Sequence, residues 1–132
     1  MGIVKYLLDT HTLLWAIRGS NKLSEAGKHI LNDASTQKFV SAVSAYEIMY
    51  KHKLGKLQGF EDIADDYLNV LQIFGAEELP ISTRHAHFAG KFKWEHRDPF
   101  DRLLAAQAAV ENYVLLTNDP AFKELSWLTI AW

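Results

Sequence analysis

Strand-like and helix-like segments alternate along the whole chain, and this alternation limits the folds that the chain can form. Three short apolar runs are typical of buried strands, at residues 5–8, 38–43 and 113–117. The first run is followed by a segment with the apolar spacing of a helix, and a helix is also predicted after each of the other two. Strands that alternate with helices pair in parallel and are covered on both faces. The sequence therefore predicts an α/β fold, a three-layer sandwich with a mostly parallel central sheet.

The remaining segments complete one domain. Pro80 has no backbone N–H, so the predicted strand at residues 78–81 is expected at a sheet edge, and residues 127–132 form the last strand. Residues 60–74 are predicted to form one continuous helix. Its expected buried side consists of Ile63, Tyr67, Leu68, Val70, Leu71 and Phe74. With 132 residues, 48% of them hydrophobic, the chain is long enough to bury a real core but too short to divide comfortably into two domains. We predict a single domain over residues 1–132.

Composition excludes several classes of function. The chain has no cysteine, which excludes a disulfide framework, a thiolate metal site and a cysteine nucleophile, and we expect a cytoplasmic location. No apolar run approaches the ~20 residues of a membrane span, and the N-terminal segment lacks a basic signal peptide, so neither a membrane partner nor export is expected. The net charge of −2 creates no global positive field, so a nucleic acid would need a local basic patch.

Four acidic residues are predicted to fall at one edge of the sheet. Asp9 follows the first strand, Glu47 lies in the first turn of the helix after the second, and Asp119 follows the most strand-like run. Asp101 lies in the first turn of its own helix, although no strand is visible directly before it. Ligands bind at the edge of an open parallel sheet where strands end and helices begin. We therefore expect the four carboxylates to converge there.

Helix capping is the alternative explanation for each acid. Asp98 and Asp119 each precede a proline, as an N-cap residue followed by Pro at the first helical position does. Ser44 and Glu47 fit the capping box S-x-x-E, and Glu47 could also pair with Lys51 one turn on. Carboxylates within ~4–6 Å of one another raise each other's pKa unless a cation binds them. With oxygen ligands and no cysteine, Mg²⁺ or Mn²⁺ is favoured, and phosphodiester hydrolysis by an activated water follows as a hypothesis.

Four segments, in this order, also resemble the motifs of PIN-domain ribonucleases, and most closely those of VapC-type toxins of bacterial type II toxin–antitoxin pairs. They are LLDTHTLLW at 7–15, SAVSAYEI at 41–48, DPFDRLLAAQA at 98–108 and LTNDPAF at 116–122. The resemblance covers essentially the whole chain. It implies a PIN-like fold, Mg²⁺- or Mn²⁺-dependent cleavage of single-stranded RNA, a cognate antitoxin and a homodimer.

The resemblance also assigns roles to residues. Asp9 and Asp101 match the principal metal ligands, and Glu47 and Asp119 match the other two acids of the catalytic site. Asp98 is extra relative to the family pattern, and we expect it to be the helix N-cap. Thr10 and Thr117 lie beside these acids, where a hydroxyl could support the metal site, although their helix and strand positions also explain them.

Three basic residues could contact an RNA backbone: Lys51, Arg97 and Arg102. Lys51 belongs to a basic run at a helix C-terminus, where cations also complement the helix dipole. Arg97 and Arg102 lie in a segment that interleaves basic residues with Phe92 and Trp94, a pattern that suits single-stranded nucleic acid. A solvated loop with buried aromatic rings is the alternative.

Two other functions are also compatible with the sequence. DTHT at residues 9–12 partly resembles the D-x-D-x-T start of haloacid-dehalogenase-like phosphatases, in which Asp9 would be a nucleophile, but His11 stands where the second Asp is needed. The second alternative is a metal-free or degenerate interaction protein that binds an antitoxin-like partner and whose acids are only caps. The interaction protein and the nuclease differ in whether Asp9, Glu47, Asp101 and Asp119 lie within reach of one cation; if they do not, the nuclease interpretation fails.

Overall fold

The chain folds around a single five-stranded parallel sheet. A computed structural model describes residues 3–96 and 98–132. The strands are β1 (Val4–Leu8), β2 (Thr36–Ser41), β3 (Glu77–Leu79), β4 (Val114–Leu116) and β5 (Ile130–Ala131). Their order in the sheet is β3-β2-β1-β4-β5, and all four pairings are parallel. The predicted fold class is confirmed, and β3, which ends just before Pro80, is an edge strand as expected.

Helices connect the strands and cover the sheet. They are α1 (Thr10–Arg18), α2 (Glu25–Asn32), α3 (Ala42–Lys53), α4 (Glu61–Asp65), α5 (Tyr67–Phe74), α6 (Thr83–Lys91) and α7 (Pro99–Glu111), followed by a short 3₁₀ helix (Pro120–Glu124). Within residues 3–96 and 98–132, no helix has the length and apolar character needed to cross a membrane.

Two separate cores lie on the two faces of the sheet. Successive side chains of a strand point to opposite faces, so neighbouring leucines of β1 enter different cores. Leu7 packs with Leu104 and Ala105 of α7, while Leu8 packs with Leu13 of α1 and Ile48 of α3. The central strands are therefore buried on both sides in their C-terminal halves, which explains why apolar residues follow one another there, as Leu7 and Leu8 do in β1 and Leu115 and Leu116 in β4.

The prediction of one helix over residues 60–74 was wrong. The chain leaves helical geometry at Asp66 (φ −132°, ψ 36°), which separates α4 from α5. Leu68, expected in the core, is 80% exposed. The break changes which side of the helix faces the core. In α5 the residues that pack against the core begin at Tyr67 and recur at intervals of three and four residues, at Val70 and Phe74. Leu68 lies off that side of the helix.

Candidate functional site

The four acids expected at the sheet edge line one cleft. Its volume is about 440 Å³, and its walls are Asp9, Glu47, Asp101 and Asp119 together with Thr10, His11, Trp15, Asn118 and Pro120. The cleft lies where β1 and β4 end and the segments after them begin, the position at which open parallel sheets bind ligands. The structure thus brings together the acids that the sequence placed on separate elements.

Asp9 is both a helix cap and a wall of the cleft. Its Oδ1 accepts a hydrogen bond from the backbone N–H of Thr12 at 2.8 Å, which caps α1. Its Oδ2 accepts a hydrogen bond from the hydroxyl of Thr117. Burial raises the pKa of Asp9, and these two donors act against that rise. Capping and a site role therefore coexist in one carboxylate.

Glu47 lies one turn deeper in its helix than the sequence indicated. β2 runs into α3 without a loop, so the N-cap is Ser41, whose Oγ accepts from the Val43 N–H at 3.0 Å. The predicted capping box of Ser44 and Glu47 was therefore wrong. Ser44 instead shares a buried 2.9 Å hydrogen bond with Thr10, which joins α3 to α1. This contact ties the helix that carries Glu47 to the helix that Asp9 begins.

Glu47 is 3% exposed, and only one of its two carboxylate oxygens has a hydrogen-bond partner among the described residues. Its Oε2 accepts a hydrogen bond from the Lys51 ammonium group one turn along α3, in the pairing that the sequence allowed. Its Oε1 is buried and finds no hydrogen-bond partner among the described residues. A buried oxygen without a donor is costly, so this atom marks a place where a ligand would be stabilised.

Asp98 and Asp101 have different environments. Asp98 is the N-cap of α7, since its Oδ1 accepts from the backbone N–H groups of Phe100 at 2.9 Å and Asp101 at 3.4 Å. Asp101 Oδ2 lies 2.6 Å from Nε2 of His96. Burial raises the pKa of Asp101 to about 6, and the negative charges of Asp98 and Glu47 add to the rise. The hydrogen bond to Asp101 in turn raises the pKa of His96.

Asp119 and Asp9 are linked through one hydroxyl. Asp119 caps the 3₁₀ helix, its Oδ1 accepting from the Ala121 N–H at 3.0 Å. The backbone N–H of Asp119 donates to Oγ1 of Thr117 at 3.1 Å, and that hydroxyl donates to Asp9. Thr117 is buried at the end of β4. Thr117 therefore fixes the position of Asp9 relative to the segment that carries Asp119.

The acids share a cleft, but each is bound to a donor of its own. Among the described residues, the compact group of ligand atoms is His96, Asp98 and Asp101, which lie within 4.8 Å of one another. No such group there contains Asp9, Glu47 or Asp119. Bringing all four cleft acids onto one cation therefore requires their side chains to move closer together than they lie here.

The basic residues proposed as RNA contacts are engaged within the protein or undescribed. Arg102 donates to the carbonyl oxygens of Ala89, Phe92 and Trp94 at 2.6–3.2 Å, and its guanidinium lies 4.3 Å from the centre of the Phe92 ring. It fastens the segment after α6 to α7, and the two aromatic rings pack against the core. Lys51 pairs with Glu47, and Arg97 lies outside the described residues.

One polar residue near the site had no predicted role. Gln107 is fully buried in α7, where its Oε1 accepts from the Ser41 hydroxyl and its Nε2 donates to the Pro80 carbonyl at 3.2 Å. It thus joins α7 to the N-cap of α3 and to the chain just after β3. Its neighbour His85, also buried, accepts from the Ser82 N–H and lies 2.7 Å from Glu111. A single amide inside the apolar run LLAAQAA was the signal available in the sequence.

Comparison with known proteins gives one family and several similar folds. The family model described as PIN domain matches residues 6–128. No curated protein sequence matches. Among the solved structures of similar fold is DNA-bound VapBC from Salmonella typhimurium, with 23% identity over 97% of each chain and a TM-score of 0.69. VapBC-1 from nontypeable Haemophilus influenzae has 19% identity over 97% of each chain and a TM-score of 0.69. FitAcB from Neisseria gonorrhoeae has 21% identity over 95% of each chain and a TM-score of 0.64. At these identities the likeness to solved structures concerns the fold.

Proposed function

The chain belongs to the PIN-domain family, and on this premise we propose that it is a Mg²⁺- or Mn²⁺-dependent endoribonuclease that cleaves single-stranded RNA as the toxin of a type II toxin–antitoxin pair. The observation that carries the proposal is the single cleft walled by Asp9, Glu47, Asp101 and Asp119. Four carboxylates on four different elements meet there, which capping alone does not require.

The chemistry of the cleft fits a hard divalent cation. Its four acidic side chains offer carboxylate oxygens as metal ligands, and these are the ligands that Mg²⁺ and Mn²⁺ prefer. The buried Oε1 of Glu47 needs a positive partner. Burial raises the pKa of Asp9 and of Asp101, so a cation beside them would favour their ionised forms. We assign the cation to Asp9 and Asp101, supported by Glu47 and Asp119.

When bound, such a cation neutralises phosphate charge and lowers the pKa of a water molecule beside it. The protein groups orient the carboxylates. Thr117 and the Thr12 N–H hold both oxygens of Asp9, and His96 fixes one oxygen of Asp101. Lys51 offsets the charge of Glu47. Because attack is by water, no covalent intermediate with the protein is part of this mechanism.

The proposed partners are RNA, a cognate antitoxin and a second copy of the chain. The solved chains of similar fold come from VapBC and FitAcB, and a further one from a toxin–antitoxin complex of Klebsiella pneumoniae (18% identity, TM-score 0.61). These likenesses support an antitoxin as partner. A second candidate function, a metal-free antitoxin-binding protein, is favoured by the local donor that each acid already has.

Metal dependence distinguishes the two candidates. We expect the purified protein to cleave single-stranded RNA with Mg²⁺ or Mn²⁺, to lose cleavage in EDTA and to regain it when Mn²⁺ is added in excess. A cation bound only by the folded state also stabilises it, by about 2.7 kcal/mol at 100 times its dissociation constant, and thermal unfolding measures this without any substrate. Cleavage that survives EDTA contradicts the proposal. A protein that neither binds Mn²⁺ nor cleaves RNA would instead support the second candidate function, the metal-free antitoxin-binding protein.

The ion pair in the cleft predicts how Lys51→Met responds to metal. Without divalent ions the variant is expected to lose about 1–3 kcal/mol of unfolding free energy, because the buried Glu47 charge loses its partner. Mn²⁺ should replace the lost positive charge, so the difference from the natural protein should shrink when Mn²⁺ is present. Denaturant unfolding with Mn²⁺ and with EDTA measures both values.

Lys28→Met is the control, since Lys28 pairs with Glu25 on the surface of a helix, three residues apart where Glu47 and Lys51 are four apart. Its stability should change by at most about 0.5 kcal/mol and should not depend on Mn²⁺. An equal loss for Lys51→Met in Mn²⁺ and in EDTA would show that Glu47 does not meet the cation.

A further inference from the structure

Trp15 differs from other tryptophans of the chain in where its ring lies. Trp94 packs against the core that contains Leu7, and Trp132 packs against the core that contains Leu8. Among the described residues, Trp15 is partly buried but belongs to neither core. It lines the acidic cleft instead. Core packing therefore does not explain why this large apolar ring stands beside carboxylates.

Neighbouring side chains hold the Trp15 ring at the wall of the cleft. The ring centre lies 5.8 Å from that of Trp132, in an edge arrangement, and 5.8 Å from that of His11, which is one turn earlier in α1 and also lines the cleft. The ammonium group of Lys22 lies 5.7 Å from the centre of the same ring. A ring fixed in this way is preorganised for a flat ligand in the cleft.

The Trp15 ring lies close to the acids along α1. Asp9 is the N-cap of that helix, and Trp15 follows it by roughly 9 Å of helical rise. Helical side chains tilt toward the N-terminus, so the ring leans back toward His11 and the acids. The cleft volume of about 440 Å³ falls within the range of about 300–1,000 Å³ for pockets that hold small molecules. The cleft thus has room for a base as well as a cation.

We propose that Trp15 is the platform on which one base of the RNA stacks when the phosphate next to that base reaches the acids. The ring selects an unpaired base, because a base inside a duplex is already paired and stacked and has to leave the helix to reach it. Trp15 is then the residue through which the proposed nuclease, on which this inference rests, prefers single-stranded RNA.

The charge of the cleft explains why RNA binding there needs a stacking ring. The described residues that line the cleft include four carboxylates and neither lysine nor arginine, so the walls offer RNA phosphates no basic partner. Stacking on an aromatic ring needs no charge, and it strengthens binding by about 5- to 150-fold per base. Lys22, which is exposed beside the ring, supplies a cation for a phosphate that adjoins the stacked base.

Two substitutions separate stacking from packing. Trp15→Leu keeps an apolar side chain but has no aromatic face, whereas Trp15→Phe keeps a smaller face. The probe is a short fluorescein-labelled single-stranded RNA of mixed sequence, titrated by anisotropy with Ca²⁺, which carboxylates also bind, and checked by gel to be intact. We expect binding to weaken by about 5- to 150-fold in Trp15→Leu and to recover in part in Trp15→Phe. Mn²⁺ affinity, measured by thermal unfolding, should stay unchanged in both.

Trp127 provides the matched control. It is 43% exposed and packs with Phe88 and Phe92 away from the cleft, so Trp127→Leu should bind the RNA as the natural protein does. Tryptophan fluorescence adds a readout that a merely structural role would not change. Unlabelled RNA should quench the natural protein and Trp127→Phe, but quench Trp15→Phe much less, although that variant still binds.

The inference is overturned if Trp15→Leu binds the RNA as tightly as the natural protein does, or if quenching persists in Trp15→Phe. The ring would then be packing or a contact for a protein partner. An equal loss for duplex RNA, or a parallel loss of Mn²⁺ affinity, would overturn it as well. These results leave the proposed nuclease intact as long as the natural protein cleaves RNA with Mg²⁺ or Mn²⁺. A natural protein that neither binds nor cleaves RNA overturns the proposed function, and the role of Trp15 with it.

Discussion

Asp101→Asn is expected to lower metal-dependent RNA cleavage by about 100-fold or more, while Asp98→Asn, three residues earlier, retains it. Asp101 lines the cleft, and the proposed cation needs its charge. Asparagine keeps the size of the side chain and replaces a buried carboxyl group whose pKa is raised to about 6. Folding should therefore be preserved, and single-turnover cleavage of a single-stranded RNA in Mg²⁺ or Mn²⁺ measures the loss.

Asp98→Asn is the natural control because asparagine is as good an N-cap as aspartate. Its side-chain oxygen can still accept from the Phe100 N–H, so α7 should begin at the same residue. Mn²⁺ affinity, measured on both variants, separates a lost ligand from a misfolded protein. The opposite pattern, with Asp98→Asn inactive and Asp101→Asn active, would mean that the ligand is Asp98, which also lies in the compact group with His96.

The fold class and the parallel character of the sheet could be predicted because they follow from local patterns. Strand and helix alternate in the sequence, and Pro80 marks an edge strand. The convergence of the acids in one cleft could also be predicted, since the carboxyl ends of parallel strands share an edge. Asp101 illustrates the limit of that rule. It reaches the cleft from the start of α7, whose position depends on packing rather than on a strand before it.

The parts that could not be predicted depend on contacts between distant segments or on helical phase. Residues 60–74 have a helical pattern throughout, and nothing in it reveals the break at Asp66 that turns Leu68 outward. Arg102 is basic and close to aromatic residues in sequence, yet its guanidinium donates hydrogen bonds to backbone carbonyls in the last turn of α6 and in the segment after it. Composition and spacing indicate which groups are present, but not which backbone carbonyls an arginine side chain will bind in the folded protein.

Gln107→Leu is expected to lower the unfolding free energy by about 2–4 kcal/mol and to reduce cleavage by about 10-fold or more. The leucine fills similar space but leaves the Ser41 hydroxyl and the Pro80 carbonyl without their buried partner. Ser41 caps α3, which carries Glu47, and Gln107 lies in α7, which carries Asp101. Losing the link should therefore shift one acid-bearing helix relative to the other. The decisive readout is Mn²⁺ affinity of the folded variant, which a purely local loss of stability would not change.

Glu111→Gln probes the other end of the same buried network and serves as its control. The amide oxygen can still accept a hydrogen bond from Nε2 of His85, and the side chain does not contact α3. Its stability should change by less than about 1 kcal/mol and its Mn²⁺ affinity not at all. If Gln107→Leu were as stable as Glu111→Gln and bound Mn²⁺ as the natural protein does, the buried amide would be packing alone. Weaker Mn²⁺ binding by Gln107→Leu, at a temperature where it is fully folded, would instead make Gln107 the residue that positions Asp101 against Glu47.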